Sequence, residues 1–289
     1  MTARVPTLII HGGAGADPAE GRDELRSGIR EAVLAGWAAL TAGRTALDAV
    51  ESAVRSLEAH PRFNAGRGAV LNSAGGIELD ASIMEGDRLR CGAVGAVTRI
   101  LHPVTLARKI LEDGRHVLLV GDGALAFARQ AGLPECDPAE LITERQRKRH
   151  LERTARGTVG AVALDLRGTI AAATSTGGVA GKLPGRVGDS ALIGCGTYAE
   201  SALGGVSCTG DGEAIIRTVL GRRALDALKA LDDPAHAAQV VVDVLVQEGE
   251  GQGGLILLDW RGRVGWAHST PLMPVGWISP AHLAPVIPF

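Results

Sequence analysis

Thr158 is the residue whose setting most suggests chemistry. It lies in the stretch 157–160, between a polar, charge-dense segment and a new alternating apolar run. A threonine hydroxyl is a poor nucleophile until a base takes its proton, and a free α-amine on the same residue, with a pKa of roughly 7.7–8.0, can be that base. We therefore hypothesise that the chain is cut between Gly157 and Thr158. Alternatively, Thr158 only opens a strand, which suits a β-branched residue.

A glycine-rich loop following 174–178 carries a second candidate set. Arg186 and Asp189 stand three residues apart within this loop. An arginine fork binds a carboxylate at two points, and an aspartate binds an amine. The pair therefore suits the α-carboxylate and α-amine of an amino-acid substrate. A structural ion pair, or two surface charges, is the alternative.

The stretch 207–213 precedes a helix that we predict to begin near Ala214. A hydroxyl and backbone N–H groups at the start of a helix can bind an oxyanion. This stretch is therefore a candidate for stabilising a tetrahedral intermediate.

The composition argues against several classes of protein. A formal net charge of -2 gives no broad surface for nucleic acid. The sequence shows neither a secretory signal nor an apolar run of the roughly 20 residues that span a membrane, so we expect a cytoplasmic protein without membrane contact. The four cysteines and eight histidines form no Cys-x-x-Cys or His-Glu-x-x-His pattern, which disfavours a disulfide framework and a catalytic transition metal.

Apolar spacing predicts the elements that position these residues. Thr45 is the expected N-cap of a helix, with Asp48 in the capping-box position. Residues 165–168 are expected to form a hairpin turn. The predicted strands cover 7–10, 77–84, 92–98, 117–120, 159–164, 169–173, 253–259 and 263–268, and the predicted helices cover 19–42, 45–58, 103–111 and 224–246.

Two further segments have competing interpretations. Residues 121–126 fit the Gly-x-Gly-x-x-Ala pattern of a nucleotide-binding oxidoreductase, but that fold needs a second parallel strand with an acid about 20 residues on. Residues 136–156 are instead mostly polar. We predict that residues 135–157, with the basic run 145–150, form an exposed linker ahead of the cut.

Seven motifs together resemble those of the plant-type asparaginases, or isoaspartyl peptidases, which are N-terminal-nucleophile hydrolases. The resemblance runs in order from the first strand to about residue 220 and implies an α+β fold. That fold is a four-layer αββα sandwich with two mainly antiparallel sheets between helical layers. The motifs are His11-Gly12-Gly13-Ala14-Gly15, Phe63-Asn64-Ala65-Gly66, Glu78-Leu79-Asp80-Ala81, Gly157-Thr158-Val159-Gly160, Thr174-Ser175-Thr176-Gly177-Gly178, Pro184-Gly185-Arg186-Val187-Gly188-Asp189 and Cys208-Thr209-Gly210.

The resemblance also implies a role for each matching residue. The precursor would cut itself into fragments 1–157 and 158–289 of a single domain. Thr158 would be the nucleophile and, through its new amine, the base. Thr176 would hydrogen-bond at the nucleophile and assist its activation, and Asn64 would lie beside it. The hydroxyl of Thr209 and the N–H of Gly210 would bind the oxyanion. Arg186 would bind the α-carboxylate of the substrate, and Asp189 and the carbonyl of Gly212 would bind its α-amine.

No catalytic cofactor is implied, but a structural sodium ion is. The loop 57–67 resembles a sodium-binding loop that uses backbone carbonyls, and family members usually form pairs of cleaved units. The expected carbonyl ligands belong to Leu57, Glu58, His60, Phe63, Ala65 and Arg67.

The implied reaction converts asparagine to aspartate and ammonia, and cleaves the isopeptide bond of β-aspartyl dipeptides. Two alternatives remain: a glycosylasparaginase-like amidase, which would require a lumenal protein, and a non-enzymatic member that never cleaves. Asp211 stands where relatives commonly carry threonine or histidine, which leaves the substrate preference open.

Overall fold

The computed structural model describes residues 5–18, 20–152, 157–282 and 284–289. The linker residues 153–156 lie outside the described residues. The strands are β1 (Thr7–His11), β2 (Leu79–Glu85), β3 (Arg90–Val97), β4 (Leu118–Val120), β5 (Val159–Leu164), β6 (Ile170–Thr176), β7 (Thr197–Glu200), β8 (Gly204–Gly210), β9 (Gly253–Asp259), β10 (Val264–His268) and β11 (Val275–Ile278).

Helices account for much of the remaining described chain. They are α1 (Arg22–Thr41), α2 (Ala46–Ala59), α3 (Pro103–Asp113), α4 (Gly121–Gln130), α5 (Pro138–Leu141), α6 (Glu144–Glu152), α7 (Gly212–Thr218), α8 (Leu220–Leu231) and α9 (Pro234–Gln247). A short 3-10 turn covers Asp189–Ala191.

The strands form two sheets. The larger has the order β11-β1-β5-β6-β2-β3-β4 and the smaller the order β10-β9-β8-β7. All neighbouring strands are antiparallel except β3 and β4, which are parallel. The two sheets contact each other, since β5 and β6 both pack on β8. The fold is therefore a mixed α and β architecture, as predicted.

Side chains on the two faces of the larger sheet belong to different hydrophobic cores. On β1, Leu8 and Ile10 pack in the cluster that α1 and α2 share with the larger sheet, whereas Ile9 lies in the cluster between the sheets. Because successive side chains of a strand point to opposite faces, β1 is buried on both sides. The smaller sheet packs its other face on α8 and α9.

Several local predictions are confirmed. Strand β5 has the predicted bounds. The N-terminus of α2 has the predicted capping box, in which Thr45 and Asp48 bind each other's backbone. The turn at 165–168 is closed by the N–H of Gly168, which donates to the carbonyl of Asp165 at 3.0 Å.

Other predictions were wrong in detail. The helix predicted over 224–246 is two helices, because Pro234 lacks an N–H and Asp233 caps a new helix through the N–H groups of Ala235 and His236. The segment predicted to be a linker, residues 135–157, contains helices α5 and α6, which were not predicted. Strands β7 and β11 were not predicted, and β11 follows the hairpin that was taken as the last.

In the part of the chain that the structure describes, no helix combines the length and apolarity needed to cross a membrane.

Asp165 ties the β5–β6 turn to α2. Its buried carboxylate accepts from the N–H of Ala46 at 3.0 Å, and from those of Arg167 and Thr169 at 2.9 and 3.1 Å. Asp165→Ala leaves these donors without partners, so we expect a loss of about 1–3 kcal/mol in the free energy of unfolding.

Urea unfolding of the uncut Thr158→Ala chain measures this loss. The exposed Asp243→Ala is the control and should change the free energy of unfolding by less than about 0.5 kcal/mol. Equal unfolding midpoints for Asp165→Ala and its parent would contradict the role given to Asp165.

Candidate active site

The bond between Gly157 and Thr158 lies at the entry to β5, in the middle of the larger sheet. Thr158 is buried. The turn after β1 presses against this bond, because a Cβ at Gly13 would lie about 3.0 Å from the nitrogen of Thr158. Gly157 has a φ of 147°, a conformation that L side chains rarely adopt. Gly157, which precedes the predicted cut, and Gly13, which packs against it, therefore both permit this backbone geometry.

Two side chains hold the carbonyl oxygen of Gly157. Nδ2 of Asn64 donates to it at 2.7 Å, and the hydroxyl of Thr176 donates to it at 2.8 Å. Such paired donors polarise a carbonyl and stabilise the oxyanion that forms when it is attacked. The structure thus brings together the predicted Asn64, Gly157 and Thr176.

Asn64 is itself firmly held. Nδ2 also donates to the carbonyl of Gly178, and Oδ1 accepts from the N–H of Val70 at 2.8 Å. The backbone carbonyl of Asn64 accepts from Gly177 at 2.9 Å. All polar groups of the amide are therefore engaged, which fixes its orientation toward Gly157.

Thr158 and Thr176 form the next contact. The hydroxyl of Thr158 donates to Oγ1 of Thr176 at 3.3 Å, and the N–H of Gly178 donates to the same oxygen at 2.9 Å. Because the proton of Thr176 is directed at Gly157, its oxygen is the acceptor for Thr158. Thr176 therefore bridges the hydroxyl of Thr158 and the carbonyl of Gly157, the two groups that would react in the predicted cut.

Thr209 and Gly210 lie at the end of β8. Oγ1 of Thr209, fully buried, accepts from the N–H of Ala14 at 3.0 Å, so its own proton remains for another acceptor. Gly210 has a φ of 146°, and a Cβ there would lie 2.4 Å from the carbonyl oxygen of Gln252. Gly210 shares a cavity of about 370 Å³ with Gly157 and Asn64.

Arg186 is paired with a residue that sequence reasoning did not identify. Its Nε and Nη2 each donate to Glu213 at 2.9 Å. Glu213 lies in the first turn of α7 with its side chain 62% exposed. The fork predicted for a substrate carboxylate is therefore occupied by a protein carboxylate that borders a second cavity, of about 340 Å³.

Asp189 is buried beside this arginine. Burial raises the pKa of Asp189 from 3.8 to about 7, and the charge of Arg186 opposes that rise. Oδ2 has no hydrogen-bond partner among the described residues. A Cβ at Gly212 would lie 2.7 Å from Nη2 of Arg186 and 2.9 Å from Oδ1 of Asp189, so the three predicted substrate-binding residues converge.

Two acidic residues anchor the loop that carries this pair. Asp80 is buried and accepts from the N–H of Gly188 at 2.9 Å. Glu78 accepts from the N–H of Gly185 at 2.9 Å, and its carbonyl accepts from Lys182 at 2.9 Å. The motif that contains Glu78 and Asp80 was visible in the sequence, but no role followed from it.

Asp211 does not point freely into the site. Its Oδ2 accepts from the N–H of Gln252 at 2.8 Å, and its own N–H donates to the carbonyl of Gln252 at 2.8 Å. The carboxylate therefore joins the start of α7 to β9.

The loop predicted to bind sodium is tightly curled. The N–H of Arg67 donates to the carbonyl of Glu58 at 2.7 Å, and the N–H of Phe63 to that of His60 at 3.3 Å. The carbonyls of Pro61 and Phe63 converge on Gly68, where a Cβ would lie 2.5 and 2.8 Å from them. Among the described residues, no group of three or more His, Cys, Asp or Glu side chains is placed to hold a metal ion.

Comparisons with known proteins identify the family of this chain. The profile of a family described as "Asparaginase" matches residues 4–155 and 148–286. A protein named "Isoaspartyl peptidase/L-asparaginase" from Mus musculus is 47% identical over 269 residues, 88% of this chain and 82% of its own length. A protein of the same name from Danio rerio is 42% identical over 285 residues, 94% of this chain and 91% of its own length.

A protein from Pyrococcus abyssi is similar to this chain as well. The "Plant-type L-asparaginase" of Pyrococcus abyssi is 43% identical over 292 residues, 92% of this chain and 94% of its own length. The family profile matches residues on both sides of the Gly157–Thr158 bond. The chain belongs to the asparaginase family.

Proposed function

We propose that this protein is an L-asparaginase and isoaspartyl peptidase that activates itself by cutting before Thr158. The observation that carries the proposal is the carbonyl of Gly157, which accepts hydrogen bonds from Asn64 and Thr176, while the hydroxyl of Thr158 donates to the same Thr176. The names of the relatives support the choice of substrates.

Self-cleavage begins with attack of Oγ1 of Thr158 on the carbonyl carbon of Gly157. Asn64 and Thr176 stabilise the oxyanion. The bond to the nitrogen of Thr158 breaks, and the nitrogen takes the hydroxyl proton and becomes an α-amine. Water then hydrolyses the ester, which yields fragments 1–157 and 158–289 and restores the hydroxyl.

The new amine is the base for turnover. It removes the hydroxyl proton of Thr158 as the oxygen attacks the side-chain amide of asparagine or a β-aspartyl peptide. The hydroxyl of Thr209 and the N–H of Gly210 stabilise the oxyanion, and one such donor is typically worth about 2.7–4 kcal/mol of barrier. Ammonia or an amino acid leaves, and water releases aspartate.

Both substrates present the same aspartyl group to the enzyme. Its α-carboxylate displaces Glu213 from the fork of Arg186, and its α-ammonium binds the unpaired Oδ2 of Asp189. Because the hydrogen bonds to Arg186 and to Asp189 are both charge-assisted, this pair recognises an amino acid whose α-carboxylate and α-amine are both free. The leaving group makes neither contact, so one site serves both reactions.

Further features belong to the same proposal. The contacts between sheets and helices support a four-layer αββα sandwich to which both fragments contribute. The curled loop 57–67 supports a structural sodium ion held by backbone carbonyls, since hard cations prefer oxygen ligands. A cytoplasmic homodimer of cleaved units is proposed on the family resemblance alone.

Thr158→Ala removes the attacking oxygen, so we expect a folded, uncut and inactive chain. Thr158→Ser is the matched control, because it keeps a hydroxyl and should still cut itself. Intact mass and ammonia release from asparagine measure the two outcomes. Normal turnover by Thr158→Ala would exclude the mechanism.

Arg186→Ala removes the carboxylate fork without touching the groups around Gly157. We expect normal self-cleavage but a fall in kcat/KM for asparagine of about 10- to 150-fold, as for the loss of a charged hydrogen bond of about 1.5–3 kcal/mol. The loss should appear in KM. Blocked cleavage with unchanged affinity for asparagine would show that Arg186 has another role.

Asp189 makes substrate binding depend on pH. Its pKa of about 7 means that the carboxylate is charged above that pH and neutral below it. The affinity of the matured enzyme for L-aspartate should therefore increase as the pH rises through about 7, between about pH 5.5 and 8.5.

Calorimetric titration with L-aspartate measures this dependence, and Asp189→Asn is the control in which it should disappear. The α-amine of Thr158 also titrates. When it is protonated at low pH it would attract the β-carboxylate of aspartate, so on its own it would make the affinity fall as the pH rises. Affinity that is constant, or that weakens as the pH rises to about 7, would contradict the role of Asp189.

A further inference from the structure

Asp80 lies between the two halves of the candidate site. In the ladder between β2 and β6 it is paired with Thr176, and directly paired residues of an antiparallel ladder present their side chains on the same face of the sheet. That face is turned toward the smaller sheet, because Ser82, two residues further along β2, donates to Thr197 of β7 at 2.8 Å. The carboxylate of Asp80 therefore lies on the same side of the larger sheet as the hydroxyl of Thr176.

On its other side, Asp80 faces a bulge in β3. The paired residues that flank Asp80 in β2 are opposite Val94 and Val97, and two residues of β3 lie between these. Ala96 is one of the two and has a φ of 49°, a conformation that a non-glycine residue keeps only where its surroundings hold it. Its N–H donates to Oδ1 of Asp80 at 2.8 Å. The carboxylate therefore holds the bulge.

The same carboxylate reaches the substrate-binding loop, residues 186–189. Oδ2 of Asp80 accepts from the N–H of Gly188 at 2.9 Å. Val187 packs on Gly95, the other residue of the bulge, where a Cβ would lie 2.9 Å from it. The loop is thus held against β2 and β3 by one polar contact and one apolar contact.

Gly188 in turn supports the guanidinium of Arg186. A Cβ at Gly188 would lie 2.6 Å from Nη1 of Arg186, while Nε and Nη2 donate to Glu213. Asp189 follows Gly188 directly in the chain. The position of Gly188 therefore sets the positions of both predicted substrate-binding side chains.

Asp80 uses both of its oxygens as acceptors. Burial raises the pKa of Asp80, and the charge of Lys182, the two backbone N–H groups and the charge of Arg186 oppose that rise. An ionised carboxylate accepts at both oxygens, whereas an amide of the same shape accepts at one position and donates at the other. Only the acid can therefore hold the bulge and the loop together.

We propose that Asp80 is a positioning residue that ties the substrate-binding loop to the sheet beside Thr176. Its two backbone hydrogen bonds fix where the aspartyl group of a substrate lies relative to the hydroxyl that attacks it. Arg186 and Asp189 touch the substrate, and Asp80 acts only through them. The role rests on the proposed function in taking Arg186 and Asp189 as the substrate-binding pair.

Hydrogen exchange of the backbone amides tests the contact itself. Asp80→Asn turns a donor toward one of the two N–H groups, so we expect faster exchange at Ala96 or at Gly188. Asp80→Ala removes both acceptors and should speed exchange at both amides.

Glu85→Gln is the matched control. Glu85 lies at the other end of β2, is also buried, and accepts from the N–H groups of Asp87 and Arg88 at 2.7 and 3.0 Å. The substitution therefore disturbs a similar pair of backbone contacts on the same strand. It should leave exchange at 186–189 unchanged.

Kinetics separate positioning from a general loss of structure. In matured Asp80→Asn we expect KM for asparagine to rise by about 10- to 100-fold, the scale for loss of a charge-assisted hydrogen bond. Self-cleavage should continue and kcat should change by less than about threefold, because the donors to Gly157 are untouched. In the Arg186→Ala background Asp80→Asn should raise KM much less, since the two residues act through one loop. Glu85→Gln should change neither KM nor kcat.

Each outcome decides the proposal. Unchanged exchange at both amides, losses in the two backgrounds that simply add, or a fall in kcat with KM unchanged would overturn the role of Asp80. An uncut wild-type protein without turnover would instead overturn the proposed function, and the exchange measurement would still decide whether Asp80 holds the loop.

Discussion

The carbonyl of Gly157 is the point on which the site depends. Two donors, Asn64 and Thr176, converge on one oxygen, and each is held by other hydrogen bonds of the loop that follows β6. Donors fixed in advance cost no reorganisation when charge develops on the oxygen. The surrounding sheets and loops keep these groups in place around a bond that follows Gly157 and packs against Gly13.

A different constraint governs the substrate-binding side. Among the described residues, no donor reaches Oδ2 of the buried Asp189, and burial of an unpaired charged group is costly. Arg186 already has a carboxylate partner in Glu213. In the proposed function, the α-ammonium of an amino acid supplies the cation that Asp189 lacks, and the α-carboxylate takes the place of Glu213 on Arg186.

What was predictable from sequence was mainly local. The capping box of Thr45 and Asp48, the turn at 165–168 and the alternation in β5 depend on neighbours in sequence, and the structure has all three. The motif resemblance correctly indicated the family. The helix break before Pro234 could also have been predicted, because an aspartate followed by proline commonly begins a helix. The apolar spacing that continues across the break favoured one long helix instead.

The rest depends on contacts between distant residues. Asn64 and Gly157 are 93 residues apart, and β11 pairs with β1 near the other end of the chain. Helix α6 lacks the apolar face that reveals a helix in sequence. The pairing of Arg186 with Glu213 required the fold to be known.

Intact mass spectrometry of the purified wild-type protein, fresh and after prolonged incubation, tests the central claim most directly. The account predicts two fragments, 1–157 and 158–289, whose masses sum to that of the precursor plus one water, with asparagine turnover rising as they form. A single uncut chain that hydrolyses asparagine at full rate would contradict it, because Thr158 would then have no free amine.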